Sequence, residues 1–132
     1  MKDLTVLQAK RYGIFSCTAD TLLIKAARKM VDEDISGLVV TDQDGGLAGI
    51  LTRTDLLRAY HTESGWADEP VEKYMNREVV HVTPQDRLSD VARLLLEHQI
   101  HRVVIVQKEN QRLRPVGVIS DADIVYHMTK ED

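Results

Sequence analysis

The sequence predicts an α/β chain of the α+β kind, a tandem repeat of two β-α-β-β-α units that pack on each other. The first observation is a phrase that occurs twice, Gly49-Ile50-Leu51-Thr52-Arg53-Thr54-Asp55-Leu56 and Gly117-Val118-Ile119-Ser120-Asp121-Ala122-Asp123-Ile124. Each reads as an apolar strand leaving a glycine, then a hydroxyl residue, then an aspartate three positions on at the start of a helix. The second observation is that the likeness extends further. An offset of 65 residues carries Thr18 onto Thr83, Ala27-Arg28 onto Ala92-Arg93, Ile35 onto Ile100 and Val40 onto Ile105. After a loop three residues longer in the second half, an offset of 68 carries Gly49 onto Gly117 and Asp55 onto Asp123. Two copies of a unit too small to close a core alone are expected to pack together.

The elements follow in order. A leader, Leu4 to Tyr12, precedes a short extended stretch around Ile14 to Cys17. Thr18 is a candidate cap for a helix whose apolar positions Leu22, Leu23, Ala26, Ala27 and Met30 keep helical spacing. Leu38-Val39-Val40 and Leu47 to Leu51 flank Asp42-Gln43-Asp44-Gly45-Gly46, which reads as a hairpin, and a helix follows from about Asp55 to Tyr60. The polar stretch His61 to Pro70 is the natural linker. The repeats are therefore placed at residues 7–60 and 71–128, joined by 61–70.

In the second copy a strand Val79 to Val82 leads to Thr83-Pro84, a cap with proline at the first helical position, and Asp86 completes a box-like start. Leu88, Val91, Ala92, Leu94 and Leu95 form the apolar stripe of that helix. Val103 to Val106 and Pro115 to Ile119 are the hairpin strands, and Ile124, Val125 and Met128 are expected to face inward from the last helix.

Composition narrows the function classes. With 132 residues there is room for one module and none for a separate catalytic domain. Aromatics are 5%, so Val, Leu, Ile and Ala must fill the core. The net charge of −4 argues against a nucleic-acid partner, which needs a basic face. A lone cysteine, Cys17, fits a reducing compartment, no apolar run reaches the length of a membrane span, and the start Met1-Lys2-Asp3 is unlike a signal peptide. The expectation is a soluble, cytoplasmic protein.

The doubled phrase carries the chemistry. A helix N-terminus offers free N–H groups and a partial positive charge to an anion such as phosphate. The hydroxyls of Thr52 and Ser120 can donate to that anion, whereas ionised Asp55 and Asp123 only accept, which suits the paired hydroxyls of a ribose. The same residues also make an ordinary capping box, satisfying the helix's own N–H groups.

The repeat order, the strand ending in Thr/Ser-x-x-Asp, the phrases Ile35-Ser36-Gly37-Leu38 and Ile100-His101-Arg102-Val103, and the entry segment Pro70-Val71-Glu72-Lys73-Tyr74-Met75 together resemble the paired cystathionine-β-synthase (CBS) domain. The resemblance covers about Leu7 to Met128. It implies a pseudo-two-fold module with two clefts between the copies that bind AMP, ADP, ATP or S-adenosylmethionine, with Mg²⁺ arriving alongside ATP, and no catalysis. Binding would signal to an unknown partner protein by conformational change, in a chain that forms homodimers. One site would use Thr18, Ser36, Gly37, Leu38, Thr52 and Asp55. The other would use Thr83, His101, Arg102, Val103, Ser120 and Asp123. The backbone beside Leu38 and Val103 would read the adenine edge. The chain departs from the usual pattern at Val39 and Val104, where many members carry proline, and at Lys10, which stands where the second copy has Met75.

Arg53, Arg102 and His101 are the basic candidates for phosphate, with solvated surface as the other reading of Arg53. Because copy one has Ser36-Gly37 where copy two has His101-Arg102, the sites are expected to be unequal, the Asp123 site preferring a phosphorylated ligand. His98 and His101 lack an evident third metal ligand, and Cys17 has no base in view. Trp66 is a lid, a dimer contact or a linker anchor. No nucleophile–base pair or glycine-rich phosphate loop favours an enzyme. The competing expectation is an interaction module with degenerate clefts, in which the aspartates only cap.

Overall fold

Runs of Val, Ile and Leu separated by helical stripes give two three-stranded sheets, each covered by helices, in a mixed α+β fold. The computed structural model describes residues 3–10 and 13–130; Met1, Lys2 and the end of the expected leader at Tyr12 lie outside the described residues. Two compact units result. One is Phe15–Val79, and the other joins the described residues up to Ile14 to those from Val80 onward.

In the Phe15–Val79 unit, β1 (Ser16–Thr18) runs parallel to β2 (Gly37–Thr41), and β2 runs antiparallel to β3 (Leu47–Thr52). The β2–β3 turn closes because Gly45 adopts φ +81° and Asp42 accepts from the N–H groups of Asp44 and Gly46, both at 2.9 Å. Helix α2 (Leu23–Asp32) lays Leu23, Ala26 and Met30 on Leu38, Val40 and Leu51, while α3 (Arg53–Thr62) adds Ala59. Trp66 lies against this core and packs edge-on to Tyr60, ring centroids 6.4 Å apart, so it anchors the segment after α3.

The second unit repeats the plan. Helix α1 (Val6–Ala9) precedes β4 (His81–Val82), which is parallel to β5 (Arg102–Glu109), and β5 is antiparallel to β6 (Arg112–Ser120). The β5–β6 turn is made by Asn110 and Gln111, both at positive φ. Helix α4 (Leu88–His98) buries Leu88, Val91 and Leu95, and α5 (Asp121–Met128) buries Ile124. Both α2 and α4 end the same way. Asp34 and Gln99 take left-handed φ of 50° and 53°, and Ile35 and Ile100 donate back to Met30 and Leu95, each at 3.0 Å. His98 therefore closes α4 and does not share a helix with His101.

Two expected caps are corrected. Thr18 does not cap α2, because its N–H goes to Thr21 Oγ1 at 3.1 Å and its hydroxyl to Asp20 Oδ1 at 2.6 Å, a turn that delays the helix to Leu23. Thr83 likewise donates to Asp86 Oδ2 at 2.7 Å from its N–H, and Pro84 lies in that turn instead of the first helical position, since α4 starts at Leu88. What replaces the caps comes from a distant segment, as backbone carbonyls in both units and, at α4, also as the Asp3 carboxylate, which accepts from Ser89 N–H at 3.0 Å. The N–H of Leu23 donates to Glu69 O and that of Leu88 to Leu4 O, both at 2.9 Å. The same offset relates Val71 N–H to Thr21 O (2.8 Å) with Val6 N–H to Asp86 O (2.7 Å), and Glu72 to Ala19 (2.9 Å) with Leu7 to Pro84 (3.0 Å). A third correction concerns α5: of the three residues expected to face inward only Ile124 does, while Val125 and Met128 are 56% and 60% exposed. An eight-residue helix covering one sheet end buries a single turn's worth of side chain here.

Candidate functional site

Antiparallel pairing brings the predicted motif residues together at one end of each sheet. In the first unit Gly37 pairs with Thr52 and Leu38 with Leu51. The N–H of Arg53 then donates to Ser36 O at 3.2 Å, which joins the entry of β2 to the start of α3. In the second unit Arg102 pairs with Ser120 and Val103 with Ile119, and the N–H of Asp121 donates to His101 O at 2.9 Å. Leu38 and Val103 send their side chains into the unit cores. Thr18 and Thr83 stand apart from these clusters. Thr18 pairs with Thr41, four residues along β2 from Gly37, or about 13 Å at ~3.3 Å per residue. Thr83 follows Val82, the partner of Ile105.

Both aspartates complete capping boxes. Asp55 Oδ2 accepts from Thr52 N–H at 2.8 Å and from its hydroxyl at 3.0 Å, and Asp55 N–H returns a 3.4 Å bond to Thr52 Oγ1. Asp123 Oδ2 accepts from Ser120 N–H at 2.8 Å and from its hydroxyl at 3.2 Å, with the return bond at 3.3 Å. Each remaining oxygen meets a cation that the sequence reading did not pick out. Arg58 Nη1 lies 3.0 Å from Asp55 Oδ1. Lys10 Nζ lies 3.1 and 3.0 Å from the two oxygens of Asp123. Arg58 was legible as an i, i+3 partner on one helix face. Lys10 is 113 residues from Asp123 and carries no local signal.

The two sites differ in burial. The Asp55 side chain is 11% exposed, and the Asp123 side chain is 27% exposed beside a Lys10 side chain at 32%. A carboxylate has about four lone-pair positions, so each aspartate keeps acceptor capacity beyond its cap and its cation. Arg53 is a surface residue, 61% exposed, whose nearest acid is Asp34 at 3.9 Å. His101 Nδ1 sits 2.9 Å from Asp121 Oδ2, and that hydrogen bond holds the Asp121 carboxyl below its usual value. Burial pushes the Cys17 thiol up to about 11, partly offset by Lys29. Among the described residues no group of three or more His, Cys, Asp or Glu is placed to hold a metal ion, and no helix is long and apolar enough to cross a membrane.

The family model for the CBS domain matches residues 9–62 and again 71–130. The chain belongs to the CBS-domain family. Its two CBS copies and its two compact units divide the chain differently. Residues 69–72, at the entry to the second CBS copy, pair with the strand–helix turn of the first, and residues 4–7 pair with that of the second.

Among curated relatives, a 17.7 kDa protein from the bps2 3′ region of Acidianus ambivalens is 28% identical over 119 residues, 90% of this chain and 70% of that protein. The chain spans about a third of the length of several others. Two solved structures share the fold. The CBS-domain containing protein ATU1752 from Agrobacterium tumefaciens has a TM-score of 0.80 at 24% identity, over 93% of this chain and 94% of that one. The CBS domain pair of protein MJ0100, in complex with 5′-methylthioadenosine and S-adenosyl-L-methionine, has a TM-score of 0.84 at 22% identity, over 96% and 97%.

Proposed function

We propose that this CBS pair is a regulatory module that binds an adenosine compound (AMP, ADP, ATP or S-adenosylmethionine) and signals to a partner protein, without catalysis of its own. The observation that carries this is the pair of hydrogen bonds from Arg53 N–H to Ser36 O and from Asp121 N–H to His101 O. Each joins main-chain groups able to meet a base edge to a hydroxyl and a carboxylate able to meet phosphate and ribose. The ligands in the MJ0100 complex support the class of compound. A ligand that contacts one conformation better than another shifts their populations, and the partner reads the shift. The net charge of −4 suits a small-molecule ligand over nucleic acid, and a cytoplasmic setting is part of the proposal.

The ligand residues are assigned as Ser36, Gly37, Leu38, Thr52 and Asp55 in one unit and His101, Arg102, Val103, Ser120 and Asp123 in the other, with Mg²⁺ entering only on ATP. Arg53, Thr18 and Thr83 are secondary contacts. The chain is proposed to act as a homodimer through α4 and α5, where exposed Leu96 (80%) and Val125 (56%) line a groove of about 560 Å³. Val125→Asp should return it to the monomer mass in light scattering.

A second reading has an observation of its own. Both aspartates are engaged by a cap and a cation, as in an interaction module whose carboxylates only hold helix ends. Thermal unfolding with AMP, ADP, ATP, S-adenosylmethionine and a guanine nucleotide, each with and without Mg²⁺, separates the two. A binder at a hundred times its Kd adds about 2.7 kcal/mol, a shift of several degrees, and Asp123→Ala should remove the contribution of its site. If no compound shifts unfolding and Asp123→Ala costs only the ~1 kcal/mol of a cap, the interaction module stands instead.

A further inference from the structure

We infer that Lys10 sets the charge class of the ligand at Asp123, favouring a phosphorylated adenosine over one with a neutral or cationic 5′ group; this rests on the adenosine-binding reading above. The two sites carry their cations differently. Asp55 has Arg58 from its own helix, but the equivalent residue beside Asp123 is Tyr126, and the cation comes from the leader instead. At the position equivalent to Lys10 the other copy has Met75, which is buried in its unit core. A cation at this position is thus a property of the Asp123 site alone.

The base of Lys10 is fixed by the main chain, and its head is held by the Asp123 carboxylate. The Lys10 N–H donates to Val6 O at 3.0 Å, and the preceding carbonyl, of Ala9, meets His127 Nε2 at 2.8 Å on α5. The ammonium sits on a flexible four-carbon stem, about a third exposed, in a pair that solvent screens. A ribose diol that takes up Asp123 weakens the hold on this ammonium. A ligand phosphate at the N-terminus of α5 gives it a new partner, whereas a thioether offers none and a sulfonium repels it.

The test is calorimetry with AMP and 5′-methylthioadenosine, two adenosines that differ only at the 5′ group. Wild type and Lys10→Met are compared in an Asp55→Asn background that confines binding to the Asp123 site. Methionine is the residue the other copy uses here, so the variant is expected to fold; its unfolding midpoint checks that. AMP should bind the Lys10 protein about tenfold more tightly than 5′-methylthioadenosine. Lys10→Met should erase that preference by weakening AMP alone. If both ligands still bind and the substitution moves them equally or not at all, Lys10 is a surface pair and only this inference falls. If neither ligand binds the Lys10 protein, in that background or with Asp55 intact, the adenosine reading falls and the inference with it.

Discussion

The main-chain N–H of Val6 donates to the carbonyl of Asp86 at 2.7 Å, tying the leader to the turn that starts α4. The Val6 side chain is fully buried in the core of Val82, Leu88, Val91, Val103 and Ile119. The leader is thus a structural part of the second unit and caps α4 with the Leu4 carbonyl and the Asp3 carboxylate. The Val6→Ala variant removes two buried methyl groups and should cost about 2 kcal/mol, read as a lower urea midpoint. Leu7→Ala, a change at a residue 58% exposed, should cost far less.

Gly49 and Gly117 hold equivalent places in the two hairpins but meet different neighbours. A Cβ on Gly49 would approach the Asn76 carbonyl at 2.9 Å and Met75 Sδ at 2.8 Å, where the 69–79 segment crosses β3. On Gly117 it would meet only the end of Ile105, at 3.1 Å. Gly49→Ala should therefore lose 1–3 kcal/mol, an overpacking cost of about that order, and Gly117→Ala clearly less, in matched chemical denaturation curves.

Cys17 is expected to be unreactive. A thiol held at about 11 instead of 9.0 carries about a hundredfold less thiolate at pH 8. Alkylation by iodoacetamide in native protein should be slower than in urea-unfolded protein by roughly that factor. Equal rates would mean the site opens readily.

The hydrogen bond from His101 lowers the Asp121 carboxyl from its ordinary 3.8. A carboxylate with a depressed folded-state value contributes stability above its unfolded value and loses it as pH falls through the folded one. Carbon-detected titration should find Asp121 ionising below 3.8, and His101→Ala should move it back up. The stability difference between wild type and that variant should shrink to nothing once Asp121 is protonated in both.

The motif ends of both sheets were readable from the sequence because their geometry is local. Strand, hydroxyl and aspartate lie within seven residues, so β3 into α3 and β6 into α5 follow from alternation and capping chemistry alone. Asp55 and Asp123 were found this way; Arg58, one turn along at i, i+3, was legible by the same rule but was not picked out. The starts of α2 and α4 were misread for the opposite reason. Thr18 and Thr83 look like caps, but a local turn consumes them, and the first helical N–H groups are met by Glu69 and Leu4 from far along the chain. No window of sequence contains that pairing.

By itself the sequence determined the repeat, the order of its elements and the two capped aspartates, because neighbouring residues carry each of those signals. Only the tertiary structure decided which opening segment completes which unit and which cation faces each carboxylate. The segment choice rests on backbone hydrogen bonds such as Leu88 N–H to Leu4 O, to which side-chain identity is nearly indifferent, and the cation choice on a side-chain pair, Lys10 and Asp123, that lies 113 residues apart in the chain.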